Sequence, residues 1–366
     1  MSWSSNVQPQ QLDPNMRTHS LQGDWEWYSP LTPPFQVYGF PWLAEEGIYR
    51  RLPLNPKEAL PSAIDRLANC TAGGQIRFRT DAERVAVRVR LGGTASMDHM
   101  PATGQNGFDA YIGEPGRERY VGTSRMKLHE SGYECILFSG SKPDKLRTVT
   151  LNFPLYQSVS EVAVGVAAGA AIEADETYRS RGRIVFYGTS ITQGGCAGRP
   201  GLAYPQQIGR ALAREVINLG FSGNGKGEAE LAAVIGTISR VDCFVVDYEA
   251  NCSTELYMQT LEPFIRQYRS AQREVPILVV SRIPYAKELL DRSVTAERKK
   301  RLVFAKEVVG KLYRDGDERI AFVDGSRLLG KRYDECTVDG VHPNDLGFTR
   351  MANGLLPAIQ KIIGEP

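Results

Sequence analysis

The chain has 366 residues, 42% of them apolar before glycine is counted, and its 44 basic and 42 acidic side chains leave a formal net charge of +2. That length suits about two domains of roughly 150 residues each, and the balanced charge lacks the concentrated basic stripe of a nucleic-acid binder. The longest uninterrupted apolar run, Val162 to Ile172, is well short of the ~20 residues a membrane-spanning helix requires, so neither nucleic acid nor membrane is an expected partner.

Residues 1–20 are rich in Ser, Gln, Asn and Pro and read as a flexible tail without the apolar core of a secretory signal. The six cysteines (Cys70, Cys135, Cys196, Cys243, Cys252, Cys336) are scattered and none forms a C-x-x-C pair. Reduced thiols in a cytoplasmic protein are therefore the expectation, with no zinc or redox motif. Trp25, Trp27 and Tyr28 can offer a sugar face, but packing against the domain that follows is the simpler reading.

From about Gly47 to Ile172 the apolar pattern repeats every two residues. Ile76 and Phe78 alternate with Arg77 and Arg79; Val85, Val87, Val89 and Leu91 alternate with Ala86, Arg88 and Arg90; Val149, Leu151 and Phe153 alternate with Thr150 and Asn152. This is the signature of strands with one face in a core and one in water. Glycine- and proline-rich turns separate them, and only Ala59 to Leu67 suggests a helix. Residues 21–178 are thus expected to form an all-β antiparallel sandwich. The charged stretch from Asp175 to Arg183 has neither period and marks the expected boundary.

Residues 183–366 change pattern. Five short apolar runs, at Arg183 to Tyr187, Val216 to Leu219, Cys243 to Val246, Ile277 to Val280 and Ile320 to Val323, alternate with helical stretches. The helices are expected over Tyr204 to Glu215, Thr254 to Arg269, a stretch carrying Leu302, Ala305, Val309 and Leu312, and Asp345 to Ile363. Pro263 and Pro357 fall inside two of them and predict kinks or breaks. The basic cluster Arg298-Lys299-Lys300-Arg301 predicts a solvated helix face. Alternating βα units of this kind imply a five-stranded parallel sheet covered by helices on both sides.

The chemistry concentrates in this half. Ser190 lies in Gly188-Thr189-Ser190-Ile191-Thr192-Gln193-Gly194, directly after the first strand. A serine there can face the crevice at the carboxyl ends of the sheet, and becomes a nucleophile if a base reaches it. Of four histidines (His19, His99, His129, His342), only His342 lies in the same half, in Asp339-Gly340-Val341-His342-Pro343-Asn344 after the fifth strand. Loops after parallel strands open on one rim, so the two side chains can meet, and Asp339 can orient the ring from three residues away. Read alone, that hexapeptide is equally a helix-capping turn. Gly223, in a glycine-rich loop after the second strand, and Asn251, after the third, can supply oxyanion donors together with the Ser190 N–H. An ordinary turn and a helix N-cap explain them as well. Cys196 and Arg199, just past the serine loop, can line the pocket.

Serine, glycine, asparagine and Asp-x-x-His in that order resemble the SGNH (GDSL-like) hydrolase family, at Ser190, Gly223, Asn251, Asp339 and His342. The serine block reads Gly-Thr-Ser-Ile instead of Gly-Asp-Ser-Leu, and the asparagine block Glu-Ala-Asn-Cys instead of Gly-x-Asn-Asp. The resemblance implies a flavodoxin-like α/β/α three-layer sandwich and ester hydrolysis with neither metal nor organic cofactor. Gly107-Phe108-Asp109-Ala110-Tyr111 is similar to the Gly-x-Asp-Leu-Tyr motif of a jelly-roll-like domain found ahead of some members, with Asp109 and Tyr111 expected to be structural. The expected function is a serine esterase forming an acyl-enzyme on Ser190, its substrate a small-molecule ester such as an acylated carbohydrate or other small natural product. Acyl transfer through the same triad, and carbohydrate binding by a protein with an inactive hydrolase-like half, are the alternatives.

Overall fold

The computed structural model describes residues 21–178 and 182–364; the expected tail at 1–20, with His19, and residues 179–181 of the expected boundary lie outside the described residues. In chain order the first half contains β1 (Trp25–Tyr28), β2 (Gln36–Tyr38), α1 (Leu43–Glu46), α2 (Ser62–Leu67), β3 (Gln75–Thr80), β4 (Arg84–Leu91) and α3 (Ala102–Gln105). It continues with β5 (Asp109–Ile112), β6 (Arg119–Thr123), β7 (Gly132–Ser139), β8 (Arg147–Asn152), β9 (Val159–Ala167) and β10 (Ile172–Glu173). The strands form two antiparallel sheets, one ordered β1-β9-β4-β7 and one β10-β3-β8-β5-β6 with β2 also on β3. Ile76, Phe78, Val149 and Leu151 from one sheet and Val85, Val87, Val164 and Val166 from the other meet in a single buried core. Each such side chain contributes about 1.5–3 kcal/mol when fully buried. Trp25 and Trp27 pack on this sandwich as expected, with the Arg84 guanidinium over the first ring and that of Arg88 over the second.

One expectation fails for the second sheet. Of the polar positions of β3 and β8 read as facing water, Arg77, Thr150 and Asn152 are buried, as are Gln75 and Thr148 on the same strands, all at most 5% exposed, while Arg79 reaches water as expected. That face carries the seam with the second half. Gln75 Nε2 donates to Asn152 Oδ1 (2.8 Å), and Asn152 Nδ2 to Asp109 Oδ1 (2.7 Å). Asp109 Oδ2 in turn accepts from Gly201 N (2.8 Å) and Arg199 (2.9 Å) of the other half. A polar period-two pattern signals water only when nothing polar is built to cover it.

The second half runs β11 (Arg183–Gly188), α4 (Ser190–Gln193), α5 (Tyr204–Leu212), β12 (Glu215–Gly220), α6 (Ala229–Ile235) and β13 (Val241–Asp247). It ends with α7 (Thr254–Ala271), β14 (Ile277–Val280), α8 (Arg292–Arg314), β15 (Ile320–Val323) and α9 (Asp345–Ile363). The sheet is five-stranded and parallel, ordered β12-β11-β13-β14-β15, the flavodoxin-like order. Val185, Tyr187, Ile217, Leu219 and Phe244 pack on α6, α7 and α8, while Ile184, Phe186, Val216 and Val245 pack on α5 and α9. No helix among the described residues is long and apolar enough to cross a membrane.

Two local expectations are corrected, and at the two helix prolines a break is excluded. The helix expected to reach Glu215 stops at Leu212, because Ala213 turns left-handed (φ 49°) and Glu215 opens β12. Helices α7 and α9 run through Pro263 and Pro357 without a break. Both prolines, and Gln259 and Asn353 whose carbonyls they leave unpaired, lie on the exposed face, where solvent can satisfy those oxygens. The basic cluster is split: Lys299 and Lys300 are exposed, whereas Arg301 is buried and donates to Cys252 O (2.7 Å), and Arg298 pairs with Glu288 (2.9 Å). Residues three apart share a helix face, and this one turns inward.

Candidate active site

The register of the parallel sheet sets the site. Gly188 at the end of β11 lies opposite Gly220 at the end of β12 and Asp247 at the end of β13. The loops carrying Ser190, Gly223 and Asn251 therefore leave one rim, at the point where the strand order reverses. Gly188 admits no side chain: a Cβ there would sit 2.0 Å from Thr192 Oγ1 and 2.5 Å from Asp247 O. The chain turns straight from Gly188 into α4, capped by Thr189, whose side chain accepts from Ile191 N while Thr192 Oγ1 accepts from Thr189 N. This places Ser190 at the first position of a short helix, 8% exposed.

His342 arrives from the far side of the sheet. After β15 the chain forms a narrow loop closed by a Thr337–Pro343 bridge and by Val338 N donating to His342 O (2.9 Å), and Asn344 then caps α9. Within it Asp339 Oδ1 accepts from Val341 N (3.0 Å) and His342 N (2.7 Å). Asp339 Oδ2 lies 2.7 Å from His342 Nδ1, and His342 Nε2 lies 2.8 Å from Ser190 Oγ. Partial burial pushes the Asp339 carboxyl up, but the hydrogen bonds from the His342 ring and from the His342 and Val341 backbone outweigh it and hold it at about 2. An ionised Asp339 accepts only, so Nδ1 carries the ring proton and Nε2 is left to accept from the serine hydroxyl.

Gly223 is the third residue of a turn in which Asn224 N donates to Phe221 O (2.9 Å); its φ of 65° suits glycine there. Phe221 N donates to Gly188 O (3.0 Å), and Ser222 N to Gln193 Oε1 (3.0 Å), so this turn is fastened to the serine turn. Asn251 is fastened to the same turn: its Nδ2 donates to Phe221 O (3.2 Å) and, at shorter range, to Asn224 O. Both amide hydrogens thus face backbone carbonyls. Beneath Asn251, Glu249 is fully buried among Arg282 and Arg301, and accepts from Arg282 N (2.9 Å).

Several residues around the site carried no signal in the sequence. Tyr156 of the antiparallel half donates its hydroxyl to Ser190 O (3.3 Å), and Gln193 Nε2 donates to Leu155 O (3.0 Å). The exposed His99, also of that half, brings its ring 5.9 Å from that of His342, centroid to centroid. Asp247 is buried beneath the serine turn and accepts from Tyr204 (2.8 Å) and Thr192 (3.4 Å); burial pushes its carboxyl up to about 7. The two residues just past the serine loop diverge. Cys196 lies beside His342 and Asp339, whereas Arg199 turns away to bond Asp109 and the Tyr111 hydroxyl, with its guanidinium over Tyr120. Asp109 and Tyr111 thereby take the structural part expected of them. All six cysteines are free thiols.

Residues 181–360 match the GDSL-like lipase/acylhydrolase family, and residues 25–172 match the N-terminus of SGNH-hydrolase-type esterases. Among solved structures, one from Bacteroides ovatus described as a GDSL-like lipase is 27% identical with a TM-score of 0.85, over 93% of this chain and 98% of that one. A salicylyl-acyltransferase from a tetracycline biosynthetic pathway is 20% identical (TM-score 0.72; 90% and 95% of the two chains). A family two carbohydrate esterase from Cellvibrio japonicus is 14% identical (TM-score 0.59; 93% and 98%), and both of these show likeness of fold. No curated protein matches the chain.

Proposed function

Because this chain belongs to the GDSL-like lipase/acylhydrolase family and carries ahead of that domain the N-terminus of SGNH-type esterases, we propose that it acts on carboxylic esters through an acyl-enzyme on Ser190. The family makes it an ester hydrolase; the residue roles and the substrate are our reading. What carries that reading is one unbroken chain of hydrogen bonds, Ser190 Oγ to His342 Nε2 at 2.8 Å and His342 Nδ1 to Asp339 at 2.7 Å.

In this mechanism the Ser190 hydroxyl attacks the ester carbonyl while His342 takes its proton at Nε2. Asp339, ionised throughout, stabilises the imidazolium from the other side. The oxyanion is held by the backbone N–H groups of Ser190 and Gly223, and by Asn251 once its amide exchanges a backbone carbonyl for the developing charge. His342 then returns the proton to the leaving alcohol, and a water repeats the sequence to release the acid. No step calls for a metal or an organic cofactor.

A short acyl group suits the site. Ser190 is only 8% exposed, and Tyr156 bonds its backbone while His99 stands beyond His342, which favours a small acyl group in this reading. We assign the alcohol part to a sugar or other small polar natural product, lying toward the open rim at His99 and His342. Ser190→Ala should abolish hydrolysis of p-nitrophenyl acetate and labelling by a fluorophosphonate probe; retained hydrolysis in this variant rejects the assignment. Transfer of the acyl group to an alcohol runs through the same acyl-enzyme, and product analysis with and without candidate acceptors separates it from hydrolysis.

A further inference from the structure

His99, Cys196, Asp339 and His342 present one ligand atom each, all within 4.8 Å of one another. Two imidazoles, a thiol and a carboxylate are the donor set of a tetrahedral zinc site. The four come from three separate places: His99 from the antiparallel half, Cys196 from the loop after α4, and Asp339 and His342 from the loop before α9. Cys196 is held there with a left-handed backbone (φ 74°), unusual for a residue other than glycine.

We propose that this cluster is an inhibitory site for zinc or a similar thiophilic divalent cation, closing over the triad. The proposal rests on the reading of Ser190 and His342 as the hydrolytic pair. Zinc ligands about 2.0–2.3 Å from the metal stand about 3.3–3.8 Å from one another, so the cluster must contract by roughly 1 Å. His99 is exposed and can make that movement by turning its side chain. The cation enters from the same open side, where the His342 and Asp339 side chains are 23% and 33% exposed. On binding, the Cys196 thiol gives its proton to solvent and its sulfur bonds the metal; no electrons are transferred. Whichever ring nitrogen of His342 takes the metal, it gives up its hydrogen bond to Ser190 or the one to Asp339. Either loss stops the transfer of the serine proton.

Two of the four donors, His99 and Cys196, take no part in the triad. Among the described residues the His99 ring bonds Asp98 (3.2 Å), and both are exposed. Cys196 is buried beside the base, its sulfur within 4.8 Å of the ligand atoms of Asp339 and His342.

The test is inhibition of p-nitrophenyl acetate hydrolysis by buffered free Zn²⁺ in the full chain, each variant measured against its own metal-free rate. Saturable inhibition reversed by EDTA is expected for the native chain, with the half-inhibiting concentration raised about 10-fold or more by His99→Ala and by Cys196→Ser. Mg²⁺ should not inhibit. Co²⁺ should give a near-ultraviolet thiolate-to-cobalt band that Cys196→Ser removes. Unchanged inhibition in both variants, or a cobalt spectrum without that band, overturns the proposal. The cobalt spectrum needs no turnover, so it reads the metal site even if Ser190→Ala were to retain hydrolysis and the functional reading were to fall.

Discussion

Arg51, from the antiparallel half, donates to the carbonyl of Gly220, the last residue of β12, at 2.6 Å. The same guanidinium donates to Asn218 O (3.0 Å), Cys70 O (2.7 Å) and Leu67 O (2.6 Å), and lies over the Phe221 ring. It is fully buried and all four of these partners are backbone oxygens. One side chain therefore ties the first half to the strand end from which the Gly223 turn springs.

Arg51→Lys should be strongly destabilising. A lysine has one donor centre and cannot reach carbonyls arranged around a planar fork. Buried acceptors left unpaired cost about 1–3 kcal/mol each, so a loss of about 3 kcal/mol or more is expected in denaturant unfolding. Turnover should fall with it, because the Gly223 turn loses its anchor. A midpoint within error of the native chain would contradict this account.

The second tie is Asp109, fully buried, to Gly201 and Arg199 on the loop that leaves the serine turn. Asp109→Ala leaves the Gly201 N–H without its acceptor and Arg199 with the neutral Tyr111 hydroxyl in place of a carboxylate. Removing one member of a buried pair typically costs about 3–5 kcal/mol. The expected outcome is a lowered unfolding midpoint and a faster loss of the seam in hydrogen exchange, seen first at Gly201. Unchanged protection at Gly201 would show that the loop is held by other contacts.

These ties explain what could be read from the sequence. The serine turn and the Asp339-His342 pair are local: a glycine before the serine, and a three-residue spacing inside one loop, are visible in one dimension. The five parallel strands are equally visible, since each is a short, mostly apolar run without polar alternation. The contacts of Tyr156, Gln193 and His99 depend on how the two halves dock, across separations that no period records. The same docking hides Gln75 and Asn152, whose polar alternation signals a wet face and finds a polar partner instead. Arg301 is hidden from the sequence for a related reason: its buried partner Glu249 lies 52 positions earlier, and the fold brings them together.

Asn251 offers a sharper test of the oxyanion reading. Its amide is spent on Phe221 O and Asn224 O, so Asn251→Ala both removes a donor and loosens the Gly223 turn. Loss of one oxyanion donor typically lowers kcat by about 10²–10³-fold. If the amide acts only in the transition state, kcat should fall by this amount with KM little changed. A rise in KM at unchanged kcat would place Asn251 in ground-state binding and remove it from the oxyanion hole.

Asp247 makes a prediction about pH and stability. It is 6% exposed at the foot of the serine turn, and burial pushes its carboxyl from 3.8 up to about 7, against the hydrogen bonds from Tyr204 and Thr192. The folded protein therefore holds a proton there that the unfolded chain releases above its ordinary value of 3.8. Between these two values the unfolded state binds fewer protons, so this group's contribution to stability falls as pH rises from about 4 to about 7 and is level beyond. The whole change is of the order of 4 kcal/mol. Asp247→Asn keeps an acceptor for Tyr204 but cannot ionise. Relative to the native chain, the variant should gain in thermal midpoint steadily from pH 4.5 to pH 7.5, and hold that gain at pH 8.5. Parallel midpoint-versus-pH curves for the two proteins would show that Asp247 is already ionised at neutral pH and that its burial is fully compensated.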